Sequence, residues 1–332
     1  MTNKRLIVFY SKPYDEDSFK KANTKYHVDI TFVRGPINGT TAIAATGYDA
    51  VCAFVNDDLS AEVLKTLAEH NIHLVAMRCA GYNNVDIEAA KTFGVKVTRV
   101  PSYSPYAVAE HAVALIMSLN RKTYRAYVRS KESNFSLAGL LGFDMYKKTV
   151  GVIGTGNIGA IFARIMMGFQ CRVVAYDVVP NAELVALGVE YLPLDELYPI
   201  CDIISLHVPL FKSTRQMINA ESLAKMKDGV MLINTSRGAL FNIYDVIRSL
   251  KARKIGYLGL DTYDKEAGIF FEDFSDAILH DDVLARLTTF PNVLVTAHQA
   301  FFTEEALAEI ADSTLSNVKA FFEGAPLQNV VA

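Results

Sequence analysis

Apolar and polar positions follow two alternating periods along most of this chain. Before residue 100, short apolar runs lie at Leu6–Tyr10, Asp29–Val33, Ala50–Val55, His73–Arg78 and Val95–Val100. Stretches with a helical repeat fall between several of them, most clearly Ser60–His70 and Asn84–Phe93. Ser60, ahead of Glu62-Val-Leu-Lys-Thr-Leu67, has the form of a capped helix start. Such alternation predicts a parallel sheet with helices on both faces, of flavodoxin-like size. Pro101 and Pro105 then punctuate the chain, and a long apolar helix is predicted over Ala107–Leu119. The alternation resumes with strands predicted at Val150–Gly154, Arg172–Asp177, Asp202–Val208, Val230–Thr235, Tyr257–Asp261 and Val293–His298. A capped helix is predicted from Asn219 to Met226, and a last one over Glu304–Phe322, ending at Gly324 and Pro326.

The run Thr149-Val-Gly-Val-Ile-Gly-Thr-Gly-Asn-Ile-Gly159 changes this picture most. An apolar strand ends in G-x-G-x-x-G. Gly154 permits the tight turn, Gly156 lets the backbone approach a pyrophosphate, and Gly159 lets the next helix pack on the sheet. That helix aims unpaired N–H groups at the phosphates. The next predicted strand ends in an acid, Asp177, at about the twenty-residue spacing of the dinucleotide fingerprint. A carboxylate there can accept hydrogen bonds from an adenosine ribose and repels the extra phosphate of NADP. Val178 and Val179 offer no cation for that phosphate, so the cofactor expected is NAD.

The fingerprint usually opens a Rossmann domain, yet here it lies near mid-chain. A chain of 332 residues is long for one core and comfortable for two domains. The expected fold is α/β: two doubly wound parallel-sheet domains, with a Rossmann NAD domain over 101–298. That domain is inserted into a flavodoxin-like substrate domain formed by 1–100 and 299–332.

Composition removes other classes. The net charge is −3 with no basic block, so nucleic acid is not an expected partner. No apolar run approaches a membrane span, and the segment Lys4–Tyr10 is too short for a signal peptide. The four cysteines, Cys52, Cys79, Cys171 and Cys201, are scattered, which argues for free thiols in a reducing cytoplasm and against a metal site.

Open α/β sheets carry their sites beyond the carboxyl ends of the strands. After Val230–Thr235 comes Ser236-Arg237-Gly238; after Tyr257–Asp261 comes Thr262-Tyr-Asp-Lys-Glu266; after Val293–Ala297 comes His298. His207-Val208-Pro209 ends a third strand and borders the same crevice. Alone, each of Arg237, Glu266 and His298 has an ordinary reading as a surface charge or a structural histidine. Together, beside a dinucleotide fold, they form a catalytic candidate. Guanidinium can grip a carboxylate bidentately, imidazole can exchange a proton near neutral pH, and a glutamate can orient it. His111, His27, His70, His73 and His280 are read as structural, and His207 as a packed strand-end residue.

These segments carry a resemblance. Asn234-Thr-Ser-Arg-Gly238, Asp261-Thr-Tyr-Asp-Lys-Glu266 and Thr296-Ala-His-Gln-Ala-Phe301 look like the signatures of D-isomer-specific 2-hydroxyacid dehydrogenases. Arg78-Cys-Ala-Gly-Tyr-Asn-Asn-Val-Asp86 and Val100-Pro-Ser-Tyr-Ser-Pro105 fit the same family. Asn134-Phe-Ser-Leu137 and Gly142-Phe-Asp-Met-Tyr146 are similar to its fermentative bacterial D-lactate dehydrogenase branch. The resemblance spans essentially the whole chain. It implies reversible hydride transfer between NADH and pyruvate, giving D-lactate. His298 would be proton donor and acceptor, Glu266 would orient it, and Arg237 would bind the substrate carboxylate. Other implied substrate contacts are the amides of Cys79, Ala80 and Gly81, the Tyr103 hydroxyl, and Phe301 or Phe302. Cofactor contacts are expected from Gly154, Thr155, Gly156, Asn157, Ile158, Gly159, Asp177, Val208, Pro209, Thr235, Ser236 and, at the nicotinamide end, Asp261. Thr214 stands where many relatives carry a cofactor-contacting residue, and its hydroxyl could serve there. A homo-oligomer, dimer or tetramer, is implied through the Pro101–Arg121 region. The alternatives are a relative acting on larger keto acids, of hydroxyisocaproate or phenyllactate type, or a non-catalytic NAD-sensing protein.

Overall fold

The computed structural model describes residues 4–332. The chain divides into two compact units, one running up to Ser104 and completed by Phe301–Ala332, the other Pro105–Ala300.

In the first unit, β1 (Arg5–Val8), β2 (Asp29–Phe32), β3 (Ala50–Ala53), β4 (Leu74–Met77) and β5 (Lys96–Thr98) form a parallel sheet. Its order is β2-β1-β3-β4-β5. The inner strands β3 and β4 are buried at every residue, whereas the edge strand β2 is half-exposed, as expected when helices cover both faces. The helix Glu304–Phe322 belongs to this core and buries Ala311, Leu315 and Val318 beside Leu6, Val8 and Phe19. A buried Leu or Val contributes about 1.5–3 kcal/mol relative to an exposed one. The chain then returns to β5, where Val331 N–H donates to the Val97 carbonyl at 2.8 Å.

The five expected strands of this unit are present with shorter ends. β1 stops before Tyr10 because Tyr10 takes a left-handed turn, φ 52°. The helix expected from Asn84 begins at Ile87, capped by Asp86, whose carboxylate accepts from Ala89 N–H. Ser60 occupies the cap position of Ala61–Glu69, but its hydroxyl makes no capping bond. The helix Pro13–Tyr26 was not singled out by periodicity; its mean hydropathy is low, and Pro13 with Asp15 sets its start.

In the second unit, seven parallel strands are β6 (Thr149–Ile153), β7 (Arg172–Tyr176), β8 (Glu190–Tyr191), β9 (Ile203–Leu206), β10 (Val230–Asn234), β11 (Ile255–Leu260) and β12 (Val293–Val295). Their order is β12-β11-β10-β9-β6-β7-β8, the doubly wound pattern, with its reversal between β6 and β9. β8 has only two residues, too short to leave a periodic signal. The helix Pro105–Arg121 is longer than its apolar stretch and packs Ala112, Leu115, Ile116 and Leu119 on this sheet. The chain therefore changes unit at Ser104–Pro105, where that helix begins, and at Ala300–Phe301. Both points lie a few residues beyond 100 and 298.

The glycine loop explains the reversal point. A Cβ on Gly154 would lie 2.5 Å from the His207 carbonyl oxygen at the end of β9, and the residue has φ +93°. A Cβ on Gly159 would lie 1.9 Å from the Gly154 carbonyl oxygen, so helix and turn touch through backbone alone. Gly156 has open space where its Cβ would be. Gly159→Ala is therefore expected to cost about 3 kcal/mol or more by overpacking, whereas Gly156→Ala melts like the parent. Thermal unfolding followed by circular dichroism reads both, and an unshifted midpoint for Gly159→Ala contradicts this account.

Candidate active site

Three neighbouring strands of the second unit end in the residues singled out as catalytic. Beyond β10, Asn234 is fully buried; its amide donates to the Arg237 carbonyl at 2.9 Å and its oxygen accepts from Ser236 N–H at 3.0 Å. The Ser236 hydroxyl donates to the Leu206 carbonyl of β9 at 2.8 Å. The loop is thus built before any ligand arrives. Arg237 is half-buried, its Nη1 donates to the Ser236 carbonyl at 2.7 Å, and among the described residues no carboxylate pairs with it. A Cβ on Gly238 would stand 2.1 Å from Asp264 N, so only glycine lets this loop lie against the one that follows β11.

That second loop carries Glu266. Its Oε2 accepts from Tyr263 N–H at 3.1 Å, and its Oε1 lies 2.8 Å from His298 Nδ1. The Tyr263 hydroxyl donates to the Asp281 carboxylate, which also caps the helix Asp282–Thr288 and ties the far end of the loop. Both side chains of the His298–Glu266 pair keep about a fifth of their surface exposed, at 20% and 18%. An ionised carboxylate only accepts, so Nδ1 carries a hydrogen and Nε2 is the atom left for exchange.

His298 itself is held in the left-handed region, φ 54°. β12 stops at Val295 rather than reaching this residue, because residues 296–300 turn onto Asp261. His298 N–H donates to the Asp261 carbonyl at 2.8 Å. The Asp261 carboxylate accepts from Thr296 Oγ1 at 2.6 Å, Gln299 N–H at 2.8 Å and Ala300 N–H at 2.9 Å. Asp261 is fully buried. Burial alone would raise its carboxyl; the hydrogen bonds of His111 and Thr296 outweigh that and hold it below the usual carboxylate range. Asp261, expected at the nicotinamide end of the cofactor, directs its carboxylate at the loop that carries His298.

Two residues at this site were missed. His111, read as structural, reaches the Asp261 carboxylate at 3.3 Å. Phe271, at φ 70°, places its ring 5.9 Å from the His298 ring, tilted by 34°. Neither lies near its partner in sequence; a histidine on an otherwise apolar helix face was the one available signal. His207 keeps its ordinary reading: it lies against Phe162, its Nε2 is 2.9 Å from Ser205 Oγ, and burial lowers it to about 3.

The remaining candidates lie in the first unit. The Cys79 carbonyl accepts from Val100 N–H at 3.1 Å, and the Ala80 carbonyl from Arg99 Nη1 at 2.9 Å, so the loop Cys79-Ala-Gly81 is braced. Tyr103 meets Phe301 edge-on, with centroids 6.1 Å apart. Phe301 is buried, whereas Phe302 is 46% exposed.

Residues 113–300 match the family described as "D-isomer specific 2-hydroxyacid dehydrogenase, NAD binding domain". The chain is 47% identical to D-lactate dehydrogenase of Escherichia coli, over 98% of this chain and 99% of that one. It is 48% identical to a 2-hydroxyacid dehydrogenase homolog of Haemophilus influenzae, over 98% and 99%. A solved structure, the pyruvate reductase of Chlamydomonas reinhardtii, superimposes with a TM-score of 0.95 at 46% identity, covering 98% of each chain. The chain belongs to the D-isomer-specific 2-hydroxyacid dehydrogenases.

The glycine loop of this dehydrogenase fits NAD. Among the described residues no side chain caps the helix Asn157–Gly168, whose first turn opens on a groove of about 570 Å³ lined by Gly156, Asn157, Ile161 and Arg164. The Thr235 hydroxyl is buried without a hydrogen-bond partner. Ile158 packs inward on the sheet, and Val208 lies against the Gly154 turn. Thr155 also ties the glycine turn to its surroundings. Its N–H donates to Asp177 at 2.6 Å, its hydroxyl accepts from Tyr191 at 2.8 Å, and its carbonyl accepts from Asn181. Asp177 therefore braces the turn as well as ending β7. The Thr214 hydroxyl donates to the Pro209 carbonyl at 2.7 Å and closes its own loop. Val178 and Val179 are exposed and bring no cation. Asp177→Ala is expected to weaken NADH binding by roughly tenfold and to narrow the preference over NADPH. Fluorescence titration with both nucleotides checks this; unchanged discrimination removes Asp177 from the ribose contact.

Proposed function

We propose that this dehydrogenase interconverts pyruvate and D-lactate, with Arg237, Glu266 and His298 as its catalytic residues. The observation that carries the reading is the His298–Glu266 pair at 2.8 Å, with the Arg237 guanidinium, which no carboxylate among the described residues pairs with, at the end of the strand next to that of Glu266. The E. coli relative named D-lactate dehydrogenase supports pyruvate as the keto acid. Bound NADH supplies a hydride to the carbonyl carbon. Arg237 grips the substrate carboxylate, because a planar guanidinium matches it with two parallel hydrogen bonds. His298 gives a proton from Nε2 to the carbonyl oxygen, and Glu266 stabilises the charged ring and fixes its orientation. In the reverse direction neutral His298 takes the hydroxyl proton at the same atom. Cys79, Ala80, Gly81, Tyr103 and Phe301 are proposed as substrate contacts. Residues 154–159, with Asp177, Val208, Pro209, Thr214, Thr235, Ser236 and Asp261, are proposed to border the cofactor.

The same proposal includes a homo-oligomer, dimer or tetramer, in a reducing cytoplasm. The helix Pro105–Arg121, in the region expected to associate, packs Ala112, Leu115, Ile116 and Leu119 on the sheet, and an exposed apolar surface follows directly after it. The helix Thr123–Lys131 buries none of its residues, and Phe135, Leu137 and Leu141 beyond it are 76–86% exposed, an apolar arm that self-association would cover. Among the described residues no helix is long and apolar enough to cross a membrane, and all four cysteines are free.

The wild-type protein is expected to oxidise NADH with pyruvate faster than with branched or aromatic 2-keto acids and to yield the D-product on chiral analysis. Failure with every 2-keto acid ends the enzymatic reading. His298→Gln is expected to lower kcat by about 10³-fold or more while NADH still binds. Near-normal turnover removes His298 as the proton donor.

A further inference from the structure

His111 stands outside the residues that the proposed reaction uses. It lies on the helix Pro105–Arg121, its side chain 15% exposed, with Nε2 3.0 Å from Thr296 Oγ1 and 3.3 Å from Asp261 Oδ1. Neither neighbour can give it a proton. The ionised Asp261 carboxylate only accepts, and the single hydroxyl hydrogen of Thr296 points to that carboxylate at 2.6 Å. Nε2 must therefore carry the hydrogen, and His111 is a donor there.

The group it donates to controls the loop that bears His298. Asp261 holds Thr296 on one side of His298 and Gln299 and Ala300 on the other, while its carbonyl holds His298 N–H. A non-glycine residue at φ 54° persists only where its surroundings over-determine it. With one donor withdrawn, a carboxylate in a dry site turns toward water or draws water in, and the loop loses its single conformation. We propose that His111 is a positioning residue for His298: it donates from Nε2 to Thr296 and Asp261 and so completes the donor set that holds residues 296–300. The role rests on the reading of His298 as the acid–base group.

The test compares His111→Leu, which removes the donor, and His111→Asn, whose shorter amide falls short of the Nε2 position, with His111→Gln, whose amide can place an N–H near it. In the free protein, exchange of the Gln299 and Ala300 amides with D₂O is expected to accelerate by about tenfold or more in the Leu and Asn variants. With NADH and pyruvate, kcat is expected to fall by about tenfold or more while the KM for pyruvate and the Kd for NADH stay within about threefold. His111→Gln is expected to restore both. Unchanged exchange in the Leu and Asn variants overturns the proposal, as does normal turnover despite accelerated exchange, or a Gln variant no better than Leu. The polar Asn variant keeps the test open if Leu does not fold. Exchange is read without substrate, so a wild-type protein inactive on every 2-keto acid defeats the proposed function and leaves the exchange result to decide the contact of His111 with the loop.

Discussion

A carboxylate shut away from water has to be matched by donors, and in this dehydrogenase that requirement shapes the edge proposed as catalytic. Asp261 lies at the end of β11, fully buried. Its donors are the Thr296 hydroxyl, two backbone amides and His111. They come from the helix Pro105–Arg121 and from the turn after β12, and all are fixed by the need to satisfy the same charge. β12 has to end at Val295, and His298 has to take a left-handed conformation, for those donors to converge. The imidazole is then presented to Glu266 by the backbone rather than by its own rotamer alone.

The remaining geometry of the proposed site depends on close backbone approaches that side chains would prevent. Gly238 lets the loop of Arg237 lie on the loop of Glu266. Gly154 lets the turn after β6 touch the end of β9, and Gly159 brings the helix onto that turn. At this reversal of strand order the two halves of the sheet diverge, and a crevice forms beyond the carboxyl ends. The groove above Gly156 and the uncapped first turn of its helix are what an anionic pyrophosphate needs.

Much of this architecture was legible in the chain. Strands buried on both faces read as continuous apolar runs, which is why β3, β4, β9 and β10 stand out. The helix Glu304–Phe322 could be placed to the residue, since a helical repeat and a following Gly mark its extent. The helix Pro13–Tyr26 and the two-residue β8 escaped: one is polar over most of its surface, the other shorter than any period. The capping role read into Ser60 failed because position alone does not aim a hydroxyl. Arg237, Glu266 and His298 were visible because strand ends are where such sites lie, and a strand end can be read from the apolar run before it.

The amino-acid sequence by itself determined the alternation of strands and helices, the glycine turn and the residue types at three consecutive strand ends. These depend on local spacing, which a linear chain records directly. Tertiary structure decided which polar groups meet. His111 and Thr296 are 185 positions apart, and their contact exists because the helix Pro105–Arg121 packs across the sheet at the end of β11. It decided too that Asp261 faces the loop of His298, that Thr155 braces Asp177, and that Phe271 lies against the imidazole. A buried charge selects its partners in space, and the spacing of residues along the chain carries no record of that choice.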